Sequence, residues 1–120
     1  MKISAKLAPA NSIIFISDVK LGEIPEITRG RRLWWTASCV VVGCLPFMDG
    51  ETEVTLGDVE SLNPGIPPVF DGTIKTPHRS IMVSTVDGKV MSIPTPTPVS
   101  RVRVWTNHPA EPDRIVVGVG

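Results

Sequence analysis

The two histidines, His78 and His108, are the first candidates for acid–base chemistry, because the unperturbed imidazole titrates near neutral pH. Each borders a turn, and Pro109 directly follows His108. If the predicted strands between them form a meander, the two imidazoles lie at opposite ends of a sheet, roughly 20 Å apart at ~3.3 Å per residue. We therefore expect no shared metal site and interpret both as loop histidines.

A second candidate is a loop-built site of Asp58, Asp71 and His78. These residues lie in or next to residues 57–77, which contain Asn-Pro-Gly, Pro-Pro and Asp-Gly turn signals. A loop of that length is functional or mobile more often than a short one. Two carboxylates and an imidazole at one rim would suit an enzyme or a small-ligand carrier. Asp58, Glu60 and Asn63 resemble oxygen ligands in a loop but lack the order of a calcium-binding loop, so we predict no metal.

Three arginines precede two adjacent tryptophans: Arg29, Arg31 and Arg32, then Trp34 and Trp35. Cations beside aromatic faces bind single-stranded nucleic acid in small β-barrels, which makes Arg32 and Trp34 candidates for that role. Arginine stems also commonly cover an aromatic ring on an outer sheet face. Since 12 Lys plus Arg balance 12 Asp plus Glu, we do not expect nucleic acid as a partner.

The sequence contains no recognisable catalytic motif: G-x-S-x-G, G-x-x-x-x-G-K-[ST] and H-E-x-x-H are all absent. Cys39 and Cys44 lack the spacing and the histidine neighbours of a zinc site. On one extended strand they would lie roughly 16 Å apart, beyond disulfide reach. We therefore predict buried free thiols, no catalytic residue and no cofactor.

Length and composition favour a single domain over residues 1–120, with 42% apolar and 20% charged residues. Twelve prolines and ten glycines favour turns over helices. The apolar run at residues 13–16 is too short for a signal-peptide core, and no stretch approaches the ~18 apolar residues of a membrane span. We therefore expect a cytoplasmic protein with no membrane partner.

Apolar and polar residues alternate along most of the chain, which is the period of a β-strand. Residues 13–16 are continuously apolar, as in a strand covered on both faces. Asp87-Gly88 favours a type I′ hairpin, in which both residues have positive φ. Residues 59–62 could form a single helical turn. We expect an antiparallel β-sandwich, or a partly closed barrel, of seven to eight strands.

Residues 31–42 form the longest predicted strand. Its core face would carry Leu33, Trp35, Ala37, Cys39 and Val41. The opposite face would carry Trp34, Val40 and Val42, which is too apolar to stay in water. We expect residues 57–77 or a second copy of the chain to bury Trp34. Arg32, Trp34, Val40 and Val42 are therefore the candidate binding residues.

The second half of the chain has a distinctive order of features. Phe-Asp-Gly-Thr at 70–73 is followed by the Asp87-Gly88 hairpin, then by Val-Ser-Arg-Val-Arg-Val-Trp at 99–105 and Ile-Val-Val at 115–117. This order resembles small bacterial β-sandwich proteins of the competence protein J type. The resemblance covers less than half of the chain, rests on strand spacing and transfers no site residue. Members of that family include inhibitors of a partner nuclease, which implies a protein-binding role.

The favoured function is a non-catalytic binding or assembly module, inhibitor-like or adaptor-like. Its partner would be another protein or, in a homodimer, a second copy of the chain. One alternative is an enzyme or a small-ligand carrier that uses Asp58, Asp71 and His78. The other is a single-strand nucleic-acid binder that uses Arg32 and Trp34.

Overall fold

The computed structural model describes residues 1–120 and confirms the all-β prediction, with ten strands rather than seven or eight. The strands are β1 (Lys2–Leu7), β2 (Ile13–Ser17), β3 (Leu33–Trp35), β4 (Cys39–Gly43), β5 (Thr52–Asp58), β6 (Phe70–Lys75), β7 (Ser80–Thr85), β8 (Gly88–Pro94), β9 (Val99–Thr106) and β10 (Arg114–Val119). One short helix, α1 (Val59–Leu62), forms at the predicted helical turn, and Phe47–Asp49 form a 3-10 turn.

The strands form two five-stranded sheets that pack face to face. Sheet A has the order β1-β5-β10-β9-β6, and sheet B has the order β3-β4-β2-β7-β8. All neighbours are antiparallel except β5 and β10, which run parallel. Strands β6 and β3 are therefore edge strands, and contacts between them place both on the same side of the sandwich.

The main core lies between the sheets and is built from alternate strand residues. Ile14 and Ile16 of β2, Val54 and Leu56 of β5 and Val104 of β9 are among its fully buried members. Burial of each such side chain contributes about 1.5–3 kcal/mol relative to exposure. The alternation that predicted strands therefore also supplies the core.

The predicted long strand over residues 31–42 is wrong, because the chain reverses at residues 36–38 and forms the β3–β4 hairpin. The Thr36 amide donates to the carbonyl of Cys39 at 2.9 Å, and the Thr36 hydroxyl accepts from the Ser38 amide at 3.3 Å. Threonine and serine hydroxyls favour such turns by bonding the nearby backbone. The reversal changes which residues share a face in the second half of the segment.

Trp34 is buried as predicted, but the predicted cover is wrong. It lies on the outer face of sheet B in a second apolar cluster, whose members are Ile13, Phe15, Trp34, Cys39 and Val41. Residues 19–32, here called the cover segment, lie over this cluster. Leu21 packs against it, and the indole of Trp34 donates to the Thr28 hydroxyl at 3.2 Å. The cover thus comes from the same chain and not from residues 57–77.

Residues 57–77 are not the long loop that the sequence predicts, since they contain α1 and β6. Their irregular part covers a different tryptophan. The indole of Trp105, on the outer face of sheet A, donates to the carbonyl of Ile66 at 2.8 Å. A Cβ at Gly118 of β10 would approach the Trp105 ring at 3.1 Å and Val59 of α1 at 3.2 Å, so the glycine leaves room for both side chains.

The predicted hairpin between β7 and β8 is present, but its turn lies one residue earlier. Thr85 pairs with Gly88, which leaves Val86 and Asp87 as the two loop residues. Neither has positive φ, so the turn is not type I′. Gly88 alone has positive φ, at 126°, and the Asp87 amide donates to the Thr85 hydroxyl at 3.2 Å.

Both cysteines are buried free thiols, as predicted. Burial raises the pKa of Cys39 to about 11 and also raises the pKa of Cys44. None of the helical segments has the length and apolar character needed to cross a bilayer.

Candidate functional site

The structure does not assemble the predicted binding face. Val40 and Val42 point into the main core and are 0% and 2% exposed, whereas Trp34 points to the opposite side of sheet B. The physical reason is the β3–β4 hairpin, which separates residues that one continuous strand would have aligned. Arg32 is half-buried, and its guanidinium donates to the carbonyls of Ala110 at 2.6 Å and Cys44 at 3.0 Å. In this structure Arg32 thus ties β3 to two loops.

The alternative loop site is also not assembled. Asp58 pairs with the N-terminal amine at 2.8 Å, at the end of β5. Asp71 lies on β6, three strand spacings away across sheet A, which is roughly 14 Å at ~4.8 Å per strand. His78 lies between β6 and β7 and binds a different carboxylate. The three residues therefore have three separate partners.

The partner of His78 is Asp18, a residue that sequence reasoning missed. The Asp18 side chain is 3% exposed and accepts from both the backbone amide and the Nδ1 atom of His78. Because the carboxylate accepts at Nδ1, Nε2 faces away from it, on an imidazole that is 46% exposed. Sixty positions separate the two residues, and no sequence pattern links them. The hydrogen bonds provide a clear structural role, which is to fix the turn before β7.

His108 has a structural role of its own. Its Nδ1 atom accepts from the backbone amides of Ala110 at 3.1 Å and Glu111 at 2.9 Å. The imidazole therefore holds the loop after β9 in place through its Nδ1 atom. The two imidazoles bind different loops, and the His, Cys, Asp and Glu side chains form no group of three able to hold a metal ion.

A partly apolar cavity lies on the side of the sandwich where edge strands β3 and β6 face each other. We call it the open-side groove, a cavity of about 360 Å³ lined by Leu33, Trp35, Val69, Phe70, Asp71, Gly72 and Thr73. A single backbone hydrogen bond bridges the sheets near it, from the Lys75 amide to the Ala37 carbonyl at 2.8 Å. The two sheets therefore stay close here without a strand to close the gap.

Trp35 is the main side chain of this groove. The sequence predicted a core position, but Trp35 is 52% exposed because β3 is the outermost strand of sheet B. Its ring lies 5.5 Å from the Phe70 ring, tilted by 60°, and the Arg31 guanidinium lies 5.5 Å from its centroid. A Cβ at Gly72 would approach the Phe70 ring at 2.9 Å, so the glycine makes room for this ring. Trp35 is thus held in position while half of its surface remains in water.

A second cavity of about 350 Å³ adjoins the open-side groove and shares Leu33 and Val69 with it. Its far end is formed by the loop after β9, including His108, Pro109 and Pro112. Val69 is 49% exposed. The apolar surface therefore continues from Trp35 along the edge of the sandwich.

The groove has a charged rim on the β6 side. Arg101 donates two hydrogen bonds to the Asp71 carboxylate, at 2.9 and 2.8 Å, and this lowers the pKa of Asp71. Arg103 pairs with Asp71 in the strand register, and its Nε–H is buried without an acceptor. The site thus combines an exposed aromatic ring, an apolar channel and guanidinium groups. These are features that protein interfaces favour, whereas no activated nucleophile lies in the groove.

Comparison with known proteins gives one informative match. No family model and no curated protein sequence matches this chain. Its structure is similar to the crystal structure of ComJ, inhibitor of the DNA degrading activity of NucA, from Bacillus subtilis. The TM-score is 0.61 with 10% sequence identity, over 98% of this chain and 93% of the ComJ chain. The resemblance to the competence protein J type is therefore confirmed at the level of the fold.

Proposed function

We propose that this protein is a non-catalytic, inhibitor-like module that binds another protein through the open-side groove. The observation that carries the proposal is Trp35, half-exposed in a groove with Arg31 over its ring. Tryptophan and arginine are the residue types most enriched among the dominant contacts of protein interfaces. The similarity to ComJ supports an enzyme as the partner, and a nuclease as the class of enzyme to test first.

The arrangement of the groove favours a protein partner over a small molecule. The cavity is an open channel between two edge strands and continues past Val69 into the second cavity. Small-ligand sites instead enclose most of the ligand surface. Phe70, which contacts the Trp35 ring, is only 8% exposed. Because Trp35 packs against this buried side chain, it loses little conformational freedom on binding.

The direct experiment measures DNA degradation by an extract of the native host, with and without the purified protein. We expect the wild-type protein to slow degradation of linear DNA. Trp35→Ser should require at least about tenfold more protein for the same effect, which is the cost of losing one dominant interface residue. Val86→Ser is the matched control, since Val86 is 58% exposed on the far β7–β8 hairpin.

Two outcomes would contradict the proposal. One is a wild-type protein that leaves DNA degradation unchanged and forms no complex during sedimentation with the extract. The other is a Trp35→Ser variant that inhibits as well as the wild type, which would place the interface elsewhere. Sedimentation of the protein alone tests the homodimer hypothesis, because self-association through the groove should also disappear in Trp35→Ser.

A further inference from the structure

The charges around the open-side groove are unevenly distributed, although the whole chain has no net charge. Residues 71, 73 and 75 of β6 point away from the core, beside residues 101 and 103 of β9. This row carries Lys75, Arg101 and Arg103 against a single carboxylate, that of Asp71. Arg31 adds a fourth cation on the β3 side.

Most of these cations have no partner within the chain. Asp71 is bound by Arg101, which leaves Arg31, Lys75 and Arg103 without an ion pair. A second carboxylate, that of Glu26, lines another cavity together with Arg31 and Trp35. With four cations against two carboxylates, the rim carries about two excess positive charges, so an acidic partner is electrostatically complementary to it.

The same features disfavour nucleic acid as the occupant. A single-strand binder needs open aromatic faces on which successive bases stack, together with a cationic path for the phosphates. Here Arg31 already lies over the ring of Trp35, and the other aromatic residue of the groove, Phe70, is buried and offers no second open face. A protein segment instead needs one apolar side chain for the groove and carboxylates spaced along its flanks.

We propose that the open-side groove binds an acidic protein segment. One apolar side chain of this segment enters beside Trp35, and its flanking carboxylates meet Arg31, Lys75 and Arg103. This inference rests on the proposed protein-binding function and specifies the chemistry of the partner. It also predicts association that weakens as salt rises, because Arg31 and Lys75 are exposed to solvent.

The test uses synthetic peptides of equal length with one central leucine, flanked by glutamates, serines or lysines. An oligodeoxythymidylate with as many charges as the glutamate peptide is the fourth probe. Binding is followed by the indole N–H signal of Trp35 in NMR spectra of the ¹⁵N-labelled protein, assigned by its loss in Trp35→Phe. The indoles of Trp34 and Trp105 already donate hydrogen bonds within the chain and serve as internal references.

We expect the glutamate peptide to shift the Trp35 signal with at least about tenfold higher affinity than the serine peptide. The lysine peptide should not bind, and salt should reduce the difference. Arg31→Gln with Lys75→Gln should weaken the glutamate peptide about fivefold, as expected for two exposed charges. Lys2→Gln with Lys89→Gln is the control, because it removes the same charge from exposed positions on the distant edge strands β1 and β8.

Equal binding of the glutamate and serine peptides would overturn the inference, as would an oligonucleotide that shifts Trp35 as strongly as the glutamate peptide. A complete absence of peptide binding would overturn it too. Each of these results can occur while Trp35→Ser still loses inhibition in the native extract, in which case only the chemistry assigned to the partner is wrong. If Trp35→Ser kept both inhibition and peptide binding, the open-side groove would not be the binding site.

Discussion

Trp34 and Trp35 are neighbours in the sequence but occupy opposite environments. Trp34 is 4% exposed, with the cover segment above it and a hydrogen bond to Thr28. Trp35 is 52% exposed at the open-side groove, where no segment of the chain covers it. Fourteen residues, 19–32, are ordered over the first ring without forming a helix or strand, which costs backbone entropy of about 1–2 kcal/mol per residue.

The difference separates apolar surface that serves stability from apolar surface that remains available. Ordering the cover segment requires compensation, which comes from Leu21, from the second apolar cluster and from hydrogen bonds that join Glu23 to Thr36 and Ser38. Trp35, by contrast, is held by an aromatic contact with Phe70 and a cation–π contact with Arg31. The covered face should therefore control the free energy of unfolding, while the open-side groove should control association.

The largest expected effect comes from removing the covered ring. Trp34→Ala should lower the free energy of unfolding by about 3–5 kcal/mol, because it leaves a cavity beneath the cover segment. Trp35→Ala should lower it by only about 1 kcal/mol, since half of that side chain is already in water. Urea denaturation of both variants measures the two changes in the free energy of unfolding. Equal losses of stability would mean that Trp35 is as important for folding as Trp34, which would contradict the proposed difference between the two rings.

The next effect tests how the cover segment is attached. Gly22 has φ of 74°, and a Cβ there would approach the carbonyl oxygen of Ser38 at 2.8 Å. Gly22→Ala should therefore destabilise by about 2 kcal/mol or more, through backbone strain together with the clash. Gly30→Ala is the control, because Gly30 has φ of 81° but no atom within 4 Å, so only about 1 kcal/mol of strain is expected. Acrylamide quenching should show Trp34 becoming accessible in the first variant alone.

The thiol of Cys39, which lies in the second apolar cluster, makes the stability of the protein depend on pH. Its folded pKa of about 11 lies above the value of an unfolded thiol, so burial favours the protonated form. This contribution to stability is complete below about pH 8.5 and is lost as pH rises towards 11, amounting to about 3 kcal/mol. The chain has no tyrosine to titrate in the same range. The decline should be shallower in Cys39→Ala, and identical curves would show that the thiol is not desolvated as the structure indicates.

The smallest effect concerns a position outside both regions. Gly88 has φ of 126° and open space around its Cα, so Gly88→Val should cost about 1 kcal/mol by backbone strain alone. The variant should leave Trp35 quenching and peptide binding unchanged. If it altered either, the β7–β8 edge and the open-side groove would be coupled, and the far edge could not serve as a control.

Local patterns predicted what depends on local chemistry. Alternation predicted strands, the apolar run at residues 13–16 predicted a strand covered on both faces, and the Asp87-Gly88 pair predicted a hairpin. The turn type was wrong because Gly88 follows the two loop residues instead of being one of them. The composition of a turn does not determine the pairing register of the flanking strands to within one residue.

Features that depend on distant residues were not predictable. The reversal at residues 36–38 contains neither glycine nor proline, so nothing interrupted the apparent strand, and the faces of residues 39–42 were misassigned. The Asp18–His78 pair joins residues 60 positions apart. The open-side groove exists only because β3 and β6 become the edges of their sheets, which is a property of strand order.

The position of β10 has a consequence for how the protein folds. This strand lies between β5 and β9 and pairs with both, so without it sheet A would separate into two-stranded ribbons, β1-β5 and β9-β6. Two-stranded ribbons are marginal in water. Because β10 must find a parallel neighbour across more than 50 residues of chain, loop-closure entropy delays completion of the sheet. Until then β5 and β9 present unpaired edges, and those edges are where aggregation of a refolding chain should begin.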